Sequence, residues 1–312
     1  RQQGAALAPR HGLRKDFRKN RALYAMILPG LVLLIVFKYF PMYGLIAAFQ
    51  DYNPFRGYWG SPMVGLKHFE RFFRDPYCWR LIRNTFLLGA YHILWTFPAA
   101  IVLALILNEL RYPRFKRVVQ TISYMPHFIS TVVLVGMMNQ ILNPVTGLYS
   151  NIYRLFNPGE YPIDILSRAN AFDHLYVWSG IWQNLGWNTI IYMAALSGVD
   201  PTLYDAAAVD GAGRFRRVLH VTLPCILPTI IIMFILRVGQ FMTVGYDKIL
   251  LLYNSSIYET ADVISTFVYR KGIVESNFSF SAAVGVFNSL VNFVLVVVVN
   301  KISAKVSETS LW

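Results

Sequence analysis

Residues 85–108 read TFLLGAYHILWTFPAAIVLALILN, an uninterrupted run without a single Asp, Glu, Lys or Arg. A helix rises about 1.5 Å per residue and needs about 20 mostly apolar residues to cross the hydrocarbon core of a bilayer. The run therefore predicts a membrane-spanning helix. Five more segments qualify on the same ground. They are 22–49 with the core LPGLVLLIVF at 28–37, 118–142 ending VVLVGMMNQIL, and 174–198 containing YVWSGIWQNLGWNTIIYMAAL. The last two are 218–246 containing ILPTIIIMFILRVGQF, and 282–300 ending FVLVVVVN. The gaps between them hold no soluble domain. The expected fold is an all-α membrane protein with six transmembrane helices in one domain, 22–301. A basic segment, 1–21, precedes it and a short tail, 302–312, follows.

Composition agrees. The chain of 312 residues is 55% hydrophobic and 14% charged, against roughly 25% charged in an average soluble domain. It is too apolar to be disordered. Its formal net charge of +13 is not gathered on a soluble surface, as a nucleic-acid binder requires. With the N-terminus in the cytoplasm, the inside segments carry 16 Lys and Arg and 6 acids, and the outer loops 11 and 10. The inside segments are also much shorter, so the cation density follows the positive-inside rule. Both termini are thus expected in the cytoplasm, and the first apolar run is expected to be a retained span, not a cleaved signal. Two cations fall within spans, Lys38 and Arg237. Lys38 is placed to snorkel to the outer interface.

Several chemistries lack their residues. Cys78 and Cys225 are far apart in sequence and neither sits in a CxxC motif. The six histidines form no HxxxH or HExxH pair, so no metal site is expected. No GxxxxGK[ST] occurs, so the chain is not expected to bind ATP itself. In the first outer loop, Leu66, Phe69, Phe72 and Phe73 fall at helical spacing within LKHFERFFRDPYCWRLIR. Two readings stay open for it: an amphipathic helix lying on the membrane surface, or a solvated helix capping the bundle.

The segment between spans four and five is distinctive: Asp200-Pro-Thr-Leu-Tyr-Asp-Ala-Ala-Ala-Val-Asp-Gly-Ala-Gly213. Asp200 is suited to cap a helix and Pro201 to its first position. Gly211 and Gly213 are expected to end it through positive φ. Arg214 opens the next helix. Such a short helix is marginal alone, and its alanine face lets another protein surface approach closely.

These residues resemble the EAA loop of ABC-importer permeases, EAA-xx-DGA-x8-IxLP. Here the loop (199–217) and the residues after it read Asp205-Ala206-Ala207, Asp210-Gly211-Ala212, eight residues, then Val221-Thr222-Leu223-Pro224. Asp replaces Glu at 205 and Val replaces Ile at 221. Leu28-Pro29-Gly30, Tyr39-Phe40-Pro41, Phe49-Gln50-Asp51-Tyr52, Gly65-Leu66-Lys67-His68-Phe69, Trp79 and Asn84-Thr85 extend the likeness over about 20–300. The chain is similar to maltose-type carbohydrate permeases, and within them to a permease subunit of an alginate or oligouronate importer.

The resemblance implies a type I ABC-importer (MetI-like) permease fold in a bacterial cytoplasmic membrane. It implies that Tyr204, Asp205, Ala206, Ala207, Asp210, Gly211 and Ala212 form a coupling helix docking on an ATPase subunit. ATP and Mg would bind that partner, leaving this chain without enzymatic activity or cofactor. The implied partners are a second permease, two ATPase copies, an extracytoplasmic solute-binding protein and an oligosaccharide. The family's sugar site lies in the helices flanking the loop. On span four, Gly180, Gln183, Asn184 and Trp187 share one helical face. On span five, Arg237, Gln240, Phe241 and Val244 have the same spacing. Polar side chains in a span face a cavity or one another, so these are candidates for a substrate pathway, with interhelical hydrogen bonding as the alternative. Arg237 has no acid near mid-membrane in any span, and its guanidinium fork suits a uronate carboxylate, with backbone carbonyls or the partner subunit as the alternative. The outer loops 50–84, 143–173 and 247–281 are candidates to contact the binding protein. The rival reading from sequence is an ion-coupled secondary transporter, which usually shows inverted repeats and often intramembrane acids.

Overall fold

The computed structural model describes residues 17, 19–307, 310 and 311. Most of the basic segment 1–21 and part of the tail lie outside the described residues. Among the described residues, twelve helices carry the architecture, with a few shorter turns of helix between them. α1 runs Arg21–Phe49, α2 Lys67–Arg74, α3 Cys78–Glu109, α4 Pro113–Phe128 and α5 Thr131–Ile141. α6 is Leu148–Phe156, α7 Ala169–Ser197, α8 Pro201–Val209 and α9 Arg214–Val238. α10 is Tyr246–Leu252, α11 Ile264–Tyr269 and α12 Phe278–Ser307. The described residues contain no strand, only an isolated bridge between Gln50 and Met63.

Helices α1, α3, α9 and α12 are each long and apolar enough to cross a membrane. α4 and α5 qualify together as one bent span. α7 has 29 residues, ample length for a crossing, but carries amide, hydroxyl and indole groups through its middle. It lies at the centre, packed chiefly on α3. Val177, Ile181, Tyr192 and Leu196 of α7 are buried with Leu88, Ala100, Ala104 and Ile226 in two apolar clusters. Close backbone approach seats the bundle: a Cβ on Gly186 of α7 would strike the Ser123 carbonyl group of α4, and one on Gly89 of α3 would lie 2.6 Å from the Phe241 carbonyl oxygen.

Two spans differ from the sequence expectation. The third is not a continuous helix over 118–142. It starts at Pro113 and bends by 97° between Phe128 and Thr131. Pro126 lies in a tightened turn at Met125–Phe128, and the Ser130 hydroxyl accepts from the Val133 N–H at 3.3 Å to start α5 afresh. A proline without an N–H followed by a serine cap makes a helix stop and restart. The fifth span ends at Val238, not 246. Gly239 leaves the helix and 239–245 form an irregular turn. Irregular backbone at membrane depth persists only where protein satisfies it. Here Asn292 of α12 accepts from the Met242 N–H at 2.9 Å and Asn288 donates to the Met242 carbonyl at 3.3 Å. Tyr176 of α7 accepts from the Gly245 N–H at 3.0 Å.

The first outer loop settles as a cap on the bundle. Phe72 of α2 is 1% exposed, with its ring beside those of Phe267, Phe280 and Phe287. Behind it, Asp262 is 1% exposed and takes two bonds from Arg270, with Arg80 of α3 at 3.5 Å. Asn84 donates to the Glu259 and Asp262 carbonyls. These ties fix part of loop 247–281 to the start of α3. α1 is attached differently. Its residues 21–42 bury no side chain, and it joins the bundle through 43–49, where Ala47 and Ala48 sit against α12.

Candidate functional site

Two regions gather the residues singled out from the sequence. The first is the loop between α7 and α9. Asp200 caps α8, its carboxylate accepting from the Thr202 N–H at 2.9 Å, with Pro201 at the first helical position. That bond holds the Asp200 carboxyl below the usual carboxylate range. Gly211 ends α8 at φ +73° in open space, a left-handed conformation that favours glycine. The Ala212 N–H then donates back to the Ala207 carbonyl at 2.9 Å, satisfying a helix-end acceptor. Gly213, expected at positive φ, has φ −67°; its extended backbone starts the next helix instead. Asp205, Ala206, Asp210 and Gly211 are exposed, and Ala207 and Ala212 half-buried. Ala207, Ala212, Arg216, Arg217, His220 and Val221 line a concavity of about 470 Å³. One side-chain bond ties α8 to α9: Tyr204 Oη to Thr222 Oγ1, 3.1 Å. Thr222 lies in a widened π-turn at Val218–Thr222 and is buried.

The second region is a pair of cavities inside the bundle. One, of about 250 Å³, is lined by residues including His92, Tyr176, Arg237, Gln240, Phe241 and Gly245. The other, of about 160 Å³, is lined by residues including His92, Tyr176, Gln183, Asn184, Gly245 and Lys248. Their walls share His92, Tyr176 and Gly245. The structure thus brings Arg237, Gln240 and Phe241 to one cavity and Gln183 and Asn184 to its neighbour. It does so without the continuous helical face expected on span five. Gln240 and Phe241 reach the cavity because the chain turns at Gly239.

Part of the polar face on α7 is occupied by the break in span three. Gln183 Nε2 donates to the Ile129 carbonyl at 2.8 Å, an acceptor freed where the helix stops. Asn184 Oδ1 is 3.0 Å from His127 Nδ1. Trp187 lines neither cavity; it stacks on His127 with centroids 4.3 Å apart and planes 8° apart. Arg237 is half-buried, and among the described residues no carboxylate lies within ion-pair distance of it.

Lys248 escaped the sequence reading, which counted it with the outer loop. It is 8% exposed. Its Nζ donates to the Tyr176 carbonyl at 2.8 Å and lies 5.0 Å from that ring's centroid. The apolar run Ile249-Leu-Leu-Leu252 directly after it was the available signal that α10 turns back into the bundle.

Residues 96–308 match the family described as "Binding-protein-dependent transport system inner membrane component". The polygalacturonan/rhamnogalacturonan transport system permease protein YteP of Bacillus subtilis (strain 168) is 42% identical over 94% of this chain and 91% of its own. Protein LplB of the same organism is 41% identical over 95% and 92%. A chain in the crystal structure of a bacterial alginate ABC transporter, in complex with an alginate pentasaccharide-bound periplasmic protein, superposes with a TM-score of 0.87. It is 37% identical, over 96% of this chain and all of that one.

Proposed function

The chain belongs to the binding-protein-dependent transport system inner membrane components and is a permease subunit of an ABC importer, and from that premise we propose that its cargo is an acidic oligosaccharide of the oligouronate class. It is a transport component and not an enzyme, and it crosses the inner membrane several times. Membership sets aside the ion-coupled secondary transporter.

The observation that carries the cargo reading is Arg237: an arginine on a cavity in the bundle, without a carboxylate partner among the described residues. Such a charge is costly in a membrane unless water or an anion meets it. A uronate carboxylate offers the two acceptors that a guanidinium fork fits. Gln240 and Asn184 supply amides for hydroxyls, and Phe241 an apolar face for a sugar ring. The relatives named for polygalacturonan, rhamnogalacturonan and alginate transport support the same class.

In this reading both termini are cytoplasmic, as the cation distribution argues. α8 and the loop after it then face the cytoplasm. With its exposed alanines and the basic concavity beside them, that surface is suited to dock an ATPase subunit. A second permease subunit completes the pathway, two ATPase copies supply ATP hydrolysis, and a solute-binding protein delivers cargo to the outer loops. The test is uptake of labelled oligogalacturonate or oligoalginate by the assembled transporter in proteoliposomes. Wild type is expected to import it in an ATP-dependent way, and Arg237→Gln to lose about tenfold in uptake at limiting cargo, as for loss of one charge-assisted bond. Failure of wild type to move any oligouronate would refute the cargo class.

A further inference from the structure

We propose that Lys248 is a second anion-binding cation in the bundle, and that Lys248 and Arg237 together read two carboxylates of one cargo molecule across the adjoining cavities. The inference rests on the oligouronate reading above and deepens it.

Lys248 is more than nine-tenths buried. An ammonium has three N–H donors and no acceptor. One is used on the Tyr176 carbonyl, and the Tyr176 ring faces the charge. The remaining donors have no acceptor among the described residues. A buried cation in this state is unfavourable unless an anion arrives. The lining of the two cavities contains one carboxylate, that of the neighbouring Asp247. Asp247 is exposed, and among the described residues it forms no ion pair with Lys248.

The position of Lys248 is built, not incidental. α10 is turned into the bundle by the 239–245 turn, which Asn288, Asn292 and Tyr176 hold in place. Ile249 and Leu252 anchor it in the main apolar cluster. Gly180 of α7 borders the ammonium: a Cβ there would make ordinary contact, 3.5 Å from Nζ and 3.9 Å from His92 Nε2. His92, on the wall of both cavities, provides a ring nitrogen without a hydrogen-bond partner among the described residues. Two cations opening on adjoining spaces, with a hydrogen-bonding ring between them, suit a polyanion with regularly repeated carboxylates better than a sugar with a single charge.

The experiment uses the whole transporter in proteoliposomes, with binding protein kept saturated so that delivery does not limit the rate. Uptake of trigalacturonate is compared with uptake of its partly methyl-esterified form carrying a single free carboxylate. Thermal stability of each variant is recorded alongside. Wild type is expected to favour the fully acidic trimer. Lys248→Gln and Arg237→Gln are each expected to reduce that preference by about tenfold, chiefly through KM, and Lys248→Arg to restore most of it. An acid-to-ester ratio unchanged in Lys248→Gln would overturn the inference while leaving the cargo reading intact, as would equal loss of both substrates with lowered stability. A wild-type protein that imports neither substrate would instead remove the cargo reading itself.

Discussion

Gly186 shows how much a single missing side chain determines here. Its α-carbon lies against the Ser123 carbonyl group, so any Cβ drives α7 away from α4. Backbone cannot yield as a flexible side chain does, and overpacking of this kind costs about 1–3 kcal/mol. Gly186→Ala is expected to lower the unfolding midpoint of the purified protein in detergent. Gly136→Ala, where nothing lies within 4 Å of the added carbon, is expected to leave it nearly unchanged. Asp200 makes a second case. Its carboxyl pKa is depressed by the Thr202 N–H, so the folded loop favours the ionised form. That contribution is present in full above the ordinary aspartate value of 3.8 and is lost as pH falls through the lower folded value. Asp200→Asn keeps a capping oxygen and is expected to preserve α8 down to low pH. Asp200→Ala is expected to loosen it at every pH, as read by amide hydrogen exchange over 201–209.

Helices that meet through one bond make sharp mechanical tests. α8 touches α9 through Tyr204 and Thr222, and Thr222 sits in a π-turn whose geometry leaves slack in the helix. Tyr204→Phe and Thr222→Val each delete that hydrogen bond with little change in volume. In the proposed complex with an ATPase, each is expected to leave ATP hydrolysis and to cut uptake per ATP several-fold, and the double variant to be no worse than either single one. The elements also show what sequence can convey. Long apolar runs with little or no charge announced the long helices, and the order of cap, proline and glycine announced α8 to within a residue. The break in span three was less visible, because Pro126 alone does not distinguish a kink from a stop; the decisive Ser130 cap and the Gln183 bond to Ile129 depend on neighbours far along the chain. The turn after Val238 was hidden for the same reason. Nothing local to 239–245 reveals that Asn288, Asn292 and Tyr176 will satisfy its backbone. With that turn unseen, Lys248 was assigned to solvent, and half of the cationic character of the cavity went unread. Residues whose role is set by their own helix were legible, and residues placed by a tertiary turn were not.

On the scale of the whole molecule, the bundle from α3 to α12 closes on itself around α7, while α1 is joined to it only at 43–49. The family match, over residues 96–308, begins within α3 and leaves α1 outside it. Deletion of residues 1–42 is therefore expected to leave the protease resistance and unfolding midpoint of the bundle nearly intact, yet to abolish co-purification with a second permease subunit. Loss of the fold itself on this deletion would show that residues 1–42 help hold the bundle together. The detached flank carries a consequence for the living cell. A membrane helix that no other described residue covers laterally over 21–42 is the kind of feature by which surveillance proteases distinguish surplus subunits from assembled ones. In the proposed assembly with a second permease subunit, the supply of that chain would then set how much of this one survives, and the balance of the two would be kept by turnover as well as by matched synthesis.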